Sequence, residues 1–166
     1  MVAFRWASLA LAFALVTGCG VSATPAQTDL PVTNACFVTD SDSVSVVLEV
    51  ASTSEQRQVG LMGRTELPTN HGMLFQYEDQ REPRNGFWMY RTLIPLDIAF
   101  LDREGTIRNI RAMVPCSASQ GRSCPIYPAG VPYWSAVEMN AGFYLANGID
   151  VGDRLVLNGD KCPTED

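Results

Sequence analysis

Val44, Val46, Leu48 and Val50 alternate with less apolar neighbours across 43–51, which predicts a strand buried on one face. Similar alternations at 73–77, 106–114, 133–139 and 154–157 predict further strands. The densest apolar and aromatic stretch outside the first 18 residues is 86–100, two strand-like runs joined by Thr92-Leu93-Ile94-Pro95. Asp102-Arg103-Glu104-Gly105 is a tight-turn sequence, so the second of those runs forms a hairpin with 106–114.

Two helices fit between the strands. Ser52 with Glu55, and Thr53 with Gln56, each match a capping box, which predicts a short helix ending near Gly63, with Gly60 allowing close packing on a strand. Asn140 is placed to cap a second helix over 141–147, terminated by Gly148. Residues 78–85 are charged and contain Pro83, and are expected to be a solvated connection; 115–132 is rich in proline and is expected to be a long structured loop, a common location for function. About seven short strands with connections too short for repeated helical crossovers predict an α+β single domain, its sheet mainly antiparallel and curved or barrel-like.

The N-terminus adds an address. One positive charge, Arg5, precedes an apolar run over 7–16, far shorter than the roughly 20 residues that span a bilayer. Val16-Thr17-Gly18-Cys19 follows and resembles the bacterial lipobox, which implies that residues 1–18 are a signal peptide, that Cys19 is acylated, and that the chain is anchored in the cell envelope. An ordinary secretory signal is the alternative. Gly20 in place of the usual retention Asp favours the periplasmic face of the outer membrane over the inner one. Residues 19–35 then read as a lipidated tether rich in Thr, Ala and Pro, 36–162 as the folded domain and 163–166 as a tail.

The remaining cysteines, Cys36, Cys116, Cys124 and Cys162, are even in number, as in an oxidising compartment. Three pairings are possible. Cys116 and Cys124 are close in one loop and Cys36 and Cys162 bracket the domain, which favours Cys36–Cys162 and Cys116–Cys124. A zinc site is the rival, without a C-x-x-C pair and with one distant histidine. The formal net charge of -6 and the single lysine, Lys161, argue against nucleic acid as a partner.

Gly60-Leu61-Met62-Gly63-Arg64, His71-Gly72-Met73-Leu74-Phe75, Phe87-Trp88-Met89, Ile94-Pro95-Leu96-Asp97-Ile98-Ala99-Phe100, and Val137-Glu138 with Ala141-Gly142 occur in this order. In these motifs, over about 44–158, the chain resembles the domain of unknown function 192 family. The resemblance implies a compact, strand-dominated fold and no reaction. Tyr90-Arg91-Thr92 departs from the Lys-Asn-Thr that often follows Trp-Met in the family.

Candidate chemistry centres on acids inside apolar strands. Asp97 lies between Leu96 and Ile98 and shares a strand face with Ala99; a carboxylate there requires an arginine such as Arg64, Arg91 or Arg111, backbone amides, or water. Glu138, alternating with Trp134 and Ala136, could instead form a general acid and base pair with Asp97, which would make the protein a carboxylate-dependent, for example glycan-acting, hydrolase. Met62, Met73, Met89, Met113 and Met139 with His71 could make a thioether metal site, or fill the core. Trp88, Tyr90, Tyr127, Tyr133 and Trp134 could line a cleft for a sugar, peptide or other small ligand. No nucleophile motif or phosphate loop occurs. The expectation is a monomeric, cofactor-free binding or accessory domain in the envelope, its ligand contacts drawn from Asp97, Trp88, Arg91, Arg64, Glu138 and Tyr127.

Overall fold

The computed structural model describes residues 25–157 and 162. The expected signal peptide, the lipidation candidate Cys19, the start of the expected tether and the expected tail lie outside them. Among the described residues, nine strands and two short α-helices follow in the order β1 (Val32–Val38), β2 (Ser43–Ala51), α1 (Ser54–Val59), β3 (His71–Arg81), β4 (Gly86–Trp88), β5 (Leu96–Leu101), β6 (Ile107–Met113), β7 (Ile126–Pro128), β8 (Tyr133–Asn140), α2 (Phe143–Ala146) and β9 (Arg154–Leu157). Seven strands form one sheet, ordered β6-β5-β8-β3-β2-β1-β9, and β4 pairs with β7 in a separate ribbon. Every pairing in the main sheet is antiparallel except β2 with β3, which α1 connects.

The sheet curls into a half-barrel. Residues from all seven strands, including Ile107 of β6 and Leu155 of β9 at opposite edges, meet in one inner core with Phe143 and Tyr144 of α2. The two edges also touch: Leu155 N–H donates to the Gly105 carbonyl (2.9 Å) and Ile107 N–H to that of Asp153 (2.8 Å). Val44, Val46, Leu48 and Val50 face this inner core, as their alternation predicts. A second core lies on the outer face, where Met73, Phe75, Leu96, Ile98, Phe100 and Ala136 are covered by Leu61, Phe87, Met89 and the segment carrying Cys116 and Cys124. β5, between β6 and β8, is therefore buried along its whole length.

Local rules explain most elements. Thr53 caps α1, with Gln56 answering in a complete capping box, and the helix ends at Gly60 (φ +50°), where a side chain would crowd the Phe75 ring. At Gly72 a Cβ would collide with the Met139 sulfur and the Glu138 carbonyl, so β3 and β8 can approach only because the residue is glycine. Cys36–Cys162 and Cys116–Cys124 are both bonded. No helix among the described residues is long and apolar enough to cross a membrane.

Several expectations are corrected. β1 begins at Val32, inside the expected tether; Thr33 and Asn34 disguise a strand that exists because β2 and the distant β9 pair with it. Residues 78–81 continue β3 beyond the core, where strand pairing persists but solvent permits charge. The 115–132 loop contains a 3₁₀ segment, Ala118–Ser123, and β7. Asn140 does not cap α2: it is the last residue of β8 and its side-chain amide donates to the Leu67 carbonyl (3.0 Å). An irregular register between Gln76 and Arg81 breaks the alternation of β8, so Tyr133 joins Ala136 in the outer core while Trp134 carries the Arg103 guanidinium over its ring.

Candidate functional site

Glu138 stands in β8 with Ile98 of β5 on one side and Met73 of β3 on the other. All three point to the outer face, and Glu138 is only 4% exposed. No hydrogen bond or ion pair to its carboxyl exists among the described residues. Burial among apolar groups pushes that carboxyl up to about 8, so at neutral pH it is mostly the uncharged acid. Buried acids are ordinarily paired, which makes this one a feature requiring explanation.

A narrow slot opens over it. Gly60, Leu61 and Met62, just after α1, form one wall; Phe87 and Trp88 of β4 form the other; Phe75 and Thr92 complete it, with Arg57 and Gln58 also lining it. The Thr92 side chain, in a residue 5% exposed, likewise makes no hydrogen bond among the described residues. The slot's volume is ≈ 20 Å³, room for about one water molecule. Trp88 is 43% exposed and packs on Tyr90, ring centroids 5.1 Å apart, which leaves an aromatic platform beside the slot. Arg57 is occupied elsewhere: its Nη1 donates to the carbonyls of Ser52 and Gln76, and its guanidinium sits 4.7 Å from the Tyr77 ring centre.

Asp97 is elsewhere. It pairs with Met139, one residue beyond Glu138, and a single step along a strand reverses the face, so the sheet separates the two carboxyls. The acid and base pair considered as the alternative from sequence therefore does not share one face of the sheet. Nor, among the described residues, does an arginine reach Asp97: its Oδ2 accepts the Gly142 amide at 2.7 Å, at the start of α2. Burial raises this carboxyl and the Gly142 hydrogen bond opposes the rise. Of the two readings for a structural Asp97, backbone amides hold and arginine does not. Asp97→Ala is expected to cost about 1 to 2 kcal/mol by leaving the Gly142 amide unbonded, and Asp97→Asn, which keeps an acceptor, less than about 1 kcal/mol. Urea unfolding of the two variants checks this; equal losses would mean that the charge, not the acceptor, matters.

The other candidates disperse. Arg64 forms an ion pair with Glu49 (2.6 Å) and donates to the Gln27 carbonyl (3.1 Å). Arg91, at φ +58°, lies over the Tyr90 ring. Tyr127 pairs with Phe87 in the small ribbon and its hydroxyl accepts the Val114 amide at 3.1 Å. Tyr133 is core. Met73, Met89 and Met113 lie in the outer core and Met139 in the inner one, so the methionines do not converge. Sequence reasoning missed Thr92 and the 60–62 wall, although four of the motifs quoted above supply residues to the slot.

A curled half-barrel whose outer face is roofed over one unpartnered acid defines a single-domain, strand-rich protein with a small polar pocket beneath its roof. The chain belongs to the DUF192 family, described as "Uncharacterized ACR", whose model matches residues 36–157. Among solved structures it is similar to a protein described as a candidate transcription regulator from Sinorhizobium meliloti 1021, at 32% identity and a TM-score of 0.71, over 79% of this chain and 97% of that one. It is also similar to a protein of unknown function from Novosphingobium aromaticivorans DSM 12444, at 30% identity and a TM-score of 0.68, over 81% and 91% of the two chains. No curated protein matches the chain. Family and neighbours carry no established reaction.

Proposed function

We propose that the protein is an exported domain, held at the cell envelope by a lipid on Cys19, that binds a small ligand in the slot over Glu138. The observation that carries the binding role is the pair of unpartnered polar side chains, Glu138 and Thr92, lining one cavity within an otherwise apolar cover. A folded core gains nothing from such groups, whereas a ligand that bonds to them does. We do not carry the regulator description of the Sinorhizobium neighbour over to DNA binding, because a net charge of -6 with one lysine argues against a phosphate-binding surface.

The test is direct. Small alcohols, amides, amines and carboxylates are titrated while the Trp88 indole N–H and the Thr92 methyl are followed by NMR. At least one class is expected to shift both signals in the wild type and neither site in Glu138→Met, whose apolar side chain removes the polar floor. Silence from every class would dismiss the binding role.

The anchor rests on the Cys19 motif, and the two disulfides are compatible with export. In an exporting bacterial host, a fatty-acid probe is expected to label the wild type and leave Cys19→Ser unlabelled. Equal labelling would reject it.

A further inference from the structure

Accepting the slot as the binding site, we propose that it receives one hydroxyl group of a neutral sugar, whose ring lies with its C–H face against Trp88. A volume of ≈ 20 Å³ admits about one heavy atom with its hydrogens, so a ligand can insert only a tip and must keep its bulk outside. A hydroxyl is the organic group that best replaces a single water, because it keeps one donor and two acceptor positions.

Charge selects against the alternatives. Glu138 and Arg57 are the titratable groups lining the slot, from β8 and α1 respectively; Gln58 and Thr92 are neutral. An entering ammonium passes the Arg57 guanidinium, and an entering carboxylate or phosphate meets in Glu138 an uncharged acid that offers it no cationic partner. Either ion would also lose its hydration in a slot walled by Leu61, Met62, Phe75 and Phe87. A neutral hydroxyl avoids both costs. It can accept from the protonated Glu138 carboxyl and exchange a second hydrogen bond with Thr92, satisfying the two groups that the fold leaves unbonded.

The outer part of the ligand is set by the platform. Trp88 is partly exposed, is backed by Tyr90, and lies directly across the ribbon from Ile126, itself exposed. A flat apolar surface next to a hydrogen-bonding hole matches a sugar ring, which pairs a C–H face with hydroxyls at its edge. A linear alcohol would fill the hole and leave the platform uncovered.

The experiment uses the folded, disulfide-intact domain and three probes: N-acetylglucosamine for the sugar, methylammonium for a cation and acetate for an anion, each followed at the Trp88 indole and Thr92 methyl signals. The sugar is expected to bind, with affinity reduced about tenfold in Thr92→Val and in Trp88→Ala. Glu138→Gln, which keeps a neutral donor and acceptor, should bind it within about threefold of wild type. Shifts with methylammonium or acetate and none with the sugar would preserve the binding site while overturning the neutral-sugar assignment. Sugar binding that Thr92→Val leaves intact would overturn it too, because the slot would not be entered. No shift with any probe would remove the sugar assignment, and the broader titration above decides whether the site itself survives.

Discussion

Glu138→Gln is expected to stabilise the domain by roughly 3 kcal/mol at pH 7. In the unfolded chain the carboxyl ionises near 4.5, whereas in the fold burial holds its proton up to about 8. Between these values the unfolded state has lost a proton that the folded state still keeps, so wild-type stability falls as pH rises from about 4.5 to about 8 and levels off above. Each unit is worth about 1.4 kcal/mol. Glutamine matches the protonated acid in shape and has nothing to ionise, so the variant lacks this decline. Urea unfolding of both proteins across that pH range should give curves that meet at the acid end and diverge toward pH 8. Curves that stay parallel would show that the carboxyl ionises in the fold as freely as in the unfolded chain, and the unpartnered-acid account would fall. A gain in stability on removing an ionisable group from the slot is the signature of a residue kept for binding at the expense of folding.

Removing the Cys36–Cys162 bridge by paired alanine substitution is expected to cost about 4 to 5 kcal/mol, and removing Cys116–Cys124 somewhat under 3 kcal/mol. The difference follows from loop length: the first bridge joins residues 126 apart in sequence and the second residues 8 apart. Because a domain of this size is stable by only about 5 to 15 kcal/mol, loss of the long bridge consumes a large part of its stability. The structure adds a reason beyond the loop model. Cys36 sits in β1 opposite Val156 of β9, so the bridge fastens the chain just beyond β9 to the strand with which β9 pairs. Denaturant unfolding under non-reducing conditions measures both variants. A larger loss from the short bridge than from the long one would contradict this account.

Much of the fold was readable from local pattern. β2 and β9 coincide with predicted alternations, the Thr53 and Gln56 capping box starts α1, and the β5–β6 hairpin follows its Asp-Arg-Glu-Gly turn. These features depend on period, caps and turns, which are properties of neighbouring residues. β1 was not readable in the same way: its polar positions resemble the tether, and what makes it a strand is two partners, one of them β9 from the other end of the domain.

The site divides along the same line. Sequence marked Glu138 and Asp97 as acids in apolar strands and Trp88 as a candidate to line a ligand cleft, because residue type and alternation are written in the chain. It could not say that the acids lie on opposite faces, since that depends on the register in which β5 meets β8: Ile98, not Asp97, stands opposite Glu138. It also could not distinguish the fates of two similar carboxyls. Asp97 meets a backbone amide delivered by the turn into α2, while Glu138 meets only the walls brought over it by 60–62, Phe87 and Thr92. The chain by itself determined the address motif, the cysteine framework, the alternating strands and the suspect acids. The tertiary structure decided which acid is satisfied and which is left facing a cavity, because hydrogen-bond partners and desolvation come from residues distant in sequence that only packing brings together.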